Sequence, residues 1–354
     1  VVADPAHGRL GFFDAAGHPA AMRALLTSLV AGHPAIDWAD ADSVNPAAAT
    51  SVWAGEQSNT TICVGTDVLF KLFRRLEAGR NLDVEVLTAL NGSGDTPALF
   101  GTIVGALPDG SQADLGMFVE RMAGVSDGWQ WACAACAEGR DIRAEAAQLG
   151  ATLREVHALL ANAFGTTTVV GGEVGAQMST RLDAAIAQAS ELEPYRESLR
   201  LAFSATAGRL LATQRVHGDF HLGQVLRSAD GWTIIDFEGE PLKSLTERRR
   251  PDSVWRDVAG MLRSFDYVRG AHPEPTSAQA AAWSAAARHA FLDGYCQGDR
   301  PDRAVLDAYE LDKAVYEVVY EARNRPDWLH IPLGAVQAVA SRTASSPTHD
   351  SKEN

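Results

Sequence analysis

The chain has 354 residues, 46% hydrophobic and 21% charged, a globular composition that excludes the disordered, fibrous and membrane-embedded classes. With 45 acidic residues against 31 Lys and Arg, its formal charge of −14 excludes a broad nucleic-acid surface, so any anionic substrate needs a local site. Four cysteines in a chain this long build no disulfide framework, and no apolar run has the form of a leader or a membrane span, so a cytoplasmic protein is expected.

Residues 1–50 are rich in Ala, Gly, Pro and His, hold one helix-like stretch at 20–30, and read as a small cap. Two β-prone runs, 60–64 and 68–73, flank Gly65-Thr66-Asp67 and predict a hairpin. Leu82, Val86 and Leu90 recur every four residues and predict a helix over 81–90. Strands are expected at 99–107 and 115–122, and the break at 123–128 closes a strand-rich lobe, 51–125. Beyond it, Ile142, Ala146, Leu149, Leu153, Val156 and Leu160 draw one apolar face of a long helix, with His157 beside it as a core histidine. Residues 165–175, rich in Gly and Thr, read as a linker before a single helix over 182–211. Strands at 225–227 and 232–235 are joined by Ser228-Ala229-Asp230-Gly231, and helices return at 253–268, 277–294 and 301–324. The helical lobe thus spans 126–340, and the aperiodic residues 341–354 read as a disordered tail. Cap, strand-rich lobe and helical lobe with one small hairpin make an α+β fold in the order of a two-lobed protein kinase.

The strongest local signal is Val216-His217-Gly218-Asp219-Phe220-His221-Leu222-Gly223-Gln224, followed after the hairpin by Ile234-Ile235-Asp236-Phe237-Glu238. Phosphoryl transfer from ATP to a hydroxyl needs a carboxylate at the attacking oxygen and oxygen ligands for the Mg²⁺ on the phosphates. Asp219 fits the base, and Gln224, five residues on, offers an amide oxygen to the metal. Asp236, at the end of an apolar strand, offers a carboxylate to the same ion. The five-residue gap matches the catalytic loop of protein kinases, and the hairpin returns the second Asp beside the first.

A kinase also needs a cation on the phosphates and a partner to hold it. Lys71 is alone in the apolar run Leu69-Phe70-Lys71-Leu72-Phe73, where an unpaired charge is costly. Glu85 on the following helix is the expected partner, with Asp83 competing for the role. The turn ending in Ser58-Asn59-Thr60 lies one strand earlier and offers backbone N–H groups and hydroxyls to the phosphates. The backbone of Glu120 and Met122, where a strand runs into the boundary, is the candidate hinge for adenine. Cys133 and Cys136 read as two small residues, and the run Glu247-Arg248-Arg249-Arg250 as a solvated loop.

At these residues the chain resembles the actinobacterial maltokinase-like sugar kinases, within the aminoglycoside-phosphotransferase and eukaryotic-like kinase group. The segments that carry the resemblance are 55–60 with 71–77, His217 to Gln224 with Asp236-Phe237-Glu238-Gly239-Glu240-Pro241, and Leu311 through Tyr320-Glu321-Ala322-Arg323-Asn324-Arg325-Pro326. In length and in Gly223-Gln224-Val225-Leu226-Arg227 it looks most like the glucosamine kinase branch. The resemblance implies ATP as donor, Asp219 as base, Gln224 and Asp236 as metal ligands, and a sugar between the catalytic loop and the last long helices, near His221 and Asn324. A small-molecule amino sugar is the expected partner, with no nucleic acid, no membrane and an undefined oligomeric state. Glu238, Glu240 and Glu321 would attract its ammonium group and Trp328 would carry its ring. The expected reaction is glucosamine to glucosamine 6-phosphate. Maltose to maltose 1-phosphate and aminoglycoside phosphorylation are the alternatives.

Overall fold

Short β-branched and aromatic runs separated by turns build a sheet in the first third of the chain. In the computed structural model, which describes residues 2–4, 9–11, 14–53, 59–240 and 243–345, the strands are β1 (Ile36–Trp38), β2 (Thr50–Val52), β3 (Thr60–Val64), β4 (Val68–Leu72), β5 (Leu99–Ala106) and β6 (Gln112–Glu120). They form one six-stranded antiparallel sheet in the order β1-β5-β6-β4-β3-β2. Because side chains alternate along a strand, the paired residues Ile62, Phe70 and Phe118 share one face and Thr61, Lys71 and Met117 the other. On the first face Phe70 stacks on Phe118 with ring centroids 4.5 Å apart. Met22, Leu26 and Leu29 of helix α1 (Pro19–Val30) close the same core. Residues 36–52, read as part of a cap, therefore belong in part to this sheet. Gly101 in β5 admits the indole of Trp38, since a Cβ there would stand 2.5 Å from its ring.

The chain divides into two compact units, Val1–Val125 with Thr233–Glu238, and Ser126–Trp232 with Gly239–Asn354. The first contains the sheet, α1 and helix α2 (Leu82–Leu90), which Asn81 caps by accepting from the amides of Asp83 and Val84.

The second unit is mainly helical: α3 (Gly128–Ala137), α4 (Arg143–Phe164), α5 (Gly171–Ile186), α6 (Arg196–Ser204), α7 (Leu245–Arg248), α8 (Trp255–Ala271), α9 (Ala278–Cys296), α10 (Arg303–Asn324) and α11 (His330–Ser345). The apolar face foreseen on α4 is buried at Leu149, Leu153, Val156 and Leu160. Glycines let α4 and α9 touch backbone to backbone. A Cβ at Gly150 would lie 2.1 Å from the Phe291 carbonyl oxygen, and one at Gly294 2.0 Å from that of Ala147.

Three expectations are corrected in this unit. Residues 165–175 are not a linker: Thr166–Val170 is a strand, β7, and α5 begins at Gly171. The single helix over 182–211 is instead the end of α5, a 3-10 turn Ser190–Tyr195 containing Pro194, the helix α6, and a strand β8 (Leu210–Gln214) that pairs antiparallel with β7. The tail does not begin at 340, since α11 runs to Ser345. The basic run 247–250 starts in α7, whose capping box joins Ser244 and Glu247.

Strand β9 (Val225–Arg227) pairs with Ser126–Asp127, and its turn closes with the Ser228 N–H donating to the Gly231 carbonyl at 2.9 Å. The next strand, Trp232–Ile234, leads out of this unit and returns the chain to the first.

Candidate active site

In the second unit the loop 216–224 is fixed by α8. Asp257, fully buried, accepts the N–H of His217 at 2.7 Å and of Gly218 at 2.8 Å, one on each carboxylate oxygen. His157 Nε2 lies 3.0 Å from the same carboxylate, which can only accept, so Nε2 carries a proton. On its other side, Nδ1 meets the Tyr295 hydroxyl at 2.9 Å. His157 is thus a satisfied core histidine, as its position on α4 implied. Burial alone would raise the Asp257 pKa; hydrogen bonds from His157 and Gly218 and the charges of His157 and His217 hold it below the usual carboxylate range. Arg256 Nε donates to the Gly218 carbonyl at 3.0 Å, and the Leu222 N–H donates to Ser264 Oγ at 3.1 Å. The loop lies so close to α8 that a Cβ on Gly260 would stand 2.4 Å from the Phe220 carbonyl oxygen.

Asp219 projects from this loop with 20% of its side chain exposed, and its Oδ1 accepts from Lys313 Nζ of α10 at 3.1 Å. Burial would raise its pKa, but the Lys313 ammonium, together with His221 and His217, holds it down at about 2. His221 turns back to accept the Gly223 N–H at 3.0 Å and begins the 3-10 turn Leu222–Gln224. This turn positions Gln224, whose N–H donates to the His221 carbonyl.

In the first unit, Lys71 of the central strand β4 points to the face opposite Phe70 and binds Asp83 of α2 at 2.7 Å. The expected partner Glu85 is corrected to Asp83. Residues two apart on a helix point about 200° apart, so only one can face the strand, and Asp83 is the fully buried one. Its second oxygen accepts the Phe237 N–H at 3.1 Å, tying α2 to the segment that carries Asp236. Asp236 has φ of 65°, a left-handed conformation uncommon for a non-glycine residue. Asp83, Asp236 and Glu238 have carboxylate oxygens within 4.8 Å of one another. Lys71 answers their charge: burial lowers its pKa, but Asp83, Asp236 and Glu238 raise it well above the ordinary value. Burial, Asp236 and Asp83 push the Glu238 carboxyl up. Hard oxygen donors so grouped suit Mg²⁺. Within this group Asp83 is already engaged by Lys71 and the Phe237 amide.

The remaining predicted residues fall as follows. Asn59 Nδ2 donates to Glu238 at 2.7 Å, and Thr60 Oγ1 accepts from Arg74 Nε at 2.7 Å; Ser58 lies outside the described residues. The Glu120 N–H is committed to the Ala98 carbonyl at 2.8 Å and its carboxylate accepts the Ala98 N–H, while Met122 follows the end of β6 in irregular backbone.

Two of the carboxylates expected to attract an ammonium group already carry cations. Glu240 is paired with Arg256 and Lys243, each at 2.8 Å. Glu321 is held by Arg325 at 2.6 Å and the Tyr267 hydroxyl at 3.0 Å. Trp328 stacks on Tyr267 and has Arg325 over its ring, and Asn324 Nδ2 donates to the Tyr320 carbonyl. Sequence reasoning assigned no role to Lys313 or Asp257. The sequence carried no sharp signal for Lys313: its helical neighbours three and four residues away are Tyr309, Glu310, Tyr316 and Glu317, a mixed aromatic and acidic register.

A cavity of about 570 Å³ among the helices of this unit is bounded by Arg288, Asp307, Glu310 and Ile331 and by none of residues 216–224. In its wall Arg288 binds Glu310 at 2.7 Å and Asp266 at 3.0 Å.

The Asp219 loop tethered to a buried Asp and a strand lysine tied to a helix carboxylate have the arrangement of a kinase-like phosphotransferase. The profile of the phosphotransferase enzyme family matches residues 50–309, and the chain belongs to that family. It is 31% identical over 316 residues to a glucosamine kinase of Streptacidiphilus jiangxiensis, across 78% of this chain and 70% of that protein. A glucosamine kinase of Mycolicibacterium smegmatis is 27% identical over 82% of this chain and 79% of its own length. The solved structure of a glucosamine kinase in complex with glucosamine, ADP and inorganic phosphate is 26% identical, with a TM-score of 0.75 over 98% of this chain and 87% of that one. The fold is therefore protein-kinase-like, and the protein is an ATP-dependent phosphotransferase acting on an alcohol group. No helix among the described residues is long and apolar enough to cross a membrane.

Proposed function

We propose that the protein is a cytoplasmic, ATP- and Mg²⁺-dependent glucosamine kinase that phosphorylates the 6-hydroxyl of the sugar. The observation that carries the chemistry is Asp219, kept ionised on a loop whose backbone is pinned by Asp257. An ionised, partly exposed carboxylate fits the orientation of an acceptor hydroxyl and the receipt of its proton. Lys71, steadied by Asp83, takes the phosphates of ATP, together with the turn that includes Ser58, Asn59 and Thr60. The Met122 amide and the Glu120 carbonyl take the adenine edge. Gln224 and Asp236 hold Mg²⁺, and Glu238, clustered with Asp236, joins the metal rather than the sugar. When bound, the ion neutralises charge on the β- and γ-phosphates.

The choice of glucosamine rests on the similarity to glucosamine kinases over most of the chain. Neither Glu240 nor Glu321 supports it, because each is already neutralised by a protein cation. Turnover of glucosamine, glucose, maltose and kanamycin with ATP and Mg²⁺ tests the reading. Glucosamine is expected to give the highest kcat/KM and glucosamine 6-phosphate as product. Faster turnover of maltose would overturn the amino-sugar assignment. Asp219→Asn is expected to lose turnover by at least a hundredfold while ATP still binds.

A further inference from the structure

We propose that Lys313 is a positioning residue for the reaction, holding Oδ1 of Asp219 so that Oδ2 is the oxygen turned to the acceptor hydroxyl. The inference rests on the reading of Asp219 as the base. Lys313 reaches Asp219 from a different element, α10, at 3.1 Å, and both side chains are largely buried, at 23% and 20% exposure. A pair so enclosed is screened little and loses few orientations. The Lys313 stem is itself fixed, its ammonium 5.1 Å from the centroid of the Tyr316 ring one turn along.

Residues 216–224 include no Lys or Arg. The charged and titratable groups facing Asp219 are His217 and His221 on the loop, and Lys313 and Tyr316 on α10. Around Lys313 stand Glu317 on the same helix, Glu240 and Arg256. Of these, Lys313 donates a hydrogen bond to the Asp219 carboxylate from another element of the fold. In the step it serves, the acceptor oxygen forms a bond to the γ-phosphorus as the bond from phosphorus to the bridging oxygen breaks. ADP departs with that electron pair, and the hydroxyl proton passes to Asp219 Oδ2.

Without Lys313, burial acts on Asp219 unopposed by its nearest cation, so its titration moves upward into the range where the kinase is assayed. The test is the pH profile of kcat/KM for glucosamine from pH 5 to 8 at saturating ATP and Mg²⁺, for the wild type, Lys313→Met and Lys313→Arg, with folding followed by circular dichroism. Wild type should show no acid limb from Asp219 in this window. Lys313→Met should bring an acid limb into this window, about three pH units or more above the wild-type Asp219 value of about 2, with kcat reduced 10- to 100-fold and KM for ATP within twofold. Lys313→Arg should restore the wild-type limb and most of kcat. A folded Lys313→Met with the wild-type limb, whether its kcat falls or not, overturns the inference, as does failure of Lys313→Arg to restore the limb. An active Asp219→Asn would overturn the base reading itself, a result distinguishable from either of these.

Discussion

Lys71 and Asp83 show how a buried charge dictates its surroundings. The lysine had to find a carboxylate once β4 became an interior strand of the sheet, and the pair is closed at 2.7 Å with Asp83 fully buried. Asp83 also accepts the Phe237 amide, so removing its carboxylate strands a buried N–H together with a cation. Asp83→Ala is therefore expected to destabilise the protein by about 3 kcal/mol, read as a lower urea midpoint, and to raise KM for ATP. Glu85→Gln, one of a half-buried residue on another face of α2, should shift the midpoint much less. Equal shifts for the two would return the pairing to Glu85. The requirement for a partner was legible in the sequence; the choice between Asp83 and Glu85 was not. Both lie in the first turn of α2, and the decision comes from the rotation that Asn81 imposes as the cap of that helix.

At the scale of elements, long helices with regular apolar spacing and short strands bounded by glycine were readable, and α4, α9, α10 and the β3–β4 hairpin follow from them. One failure has a plain physical origin, glycine used for close packing rather than for turning. Gly171 and Gly175 made α5 look like a linker, yet a Cβ at either would lie 2.2 or 2.3 Å from the carbonyl oxygens of Thr206 and Phe203. Only the tertiary neighbour reveals that use. The run Thr166-Thr167-Thr168-Val169-Val170 was β-prone on its own terms, but its partner β8 had been absorbed into a helix that Pro194 divides. Gly260 repeats the device beside the loop that bears Asp219. Gly260→Ala forces the Phe220 carbonyl away from α8, and a displacement near 1 Å of the segment bearing Asp219 is expected to cost kcat about 100-fold. The KM for ATP should change little, because the residues proposed to bind it lie on other elements. A Gly260→Ala enzyme with full kcat would show that α8 does not set the loop's position.

For the molecule as a whole, the path of the chain matters more than its order of elements suggests. The six residues Thr233–Glu238 belong to the unit otherwise built from the first 125 residues. They bring the Ile234 N–H to the Asp95 carbonyl at 2.8 Å, the Phe237 N–H to Asp83, and the Asp236 carboxylate beside Lys71. The sequence announced Asp236 by its motif but gave no sign that the strand before it completes the other unit. A fragment of residues 1–125 therefore lacks the buried side chains of Ile234 and Phe237 and two backbone hydrogen-bond donors. Two large apolar side chains at 1.5–3 kcal/mol each amount to about 5 kcal/mol, as much as the whole stability of many domains. The fragment is expected to show no cooperative urea transition by far-ultraviolet circular dichroism. A sharp transition at the midpoint of the intact chain would mean that the sheet unit is complete without its returning segment, and the kinase would then owe the placement of Asp236 to the hairpin alone.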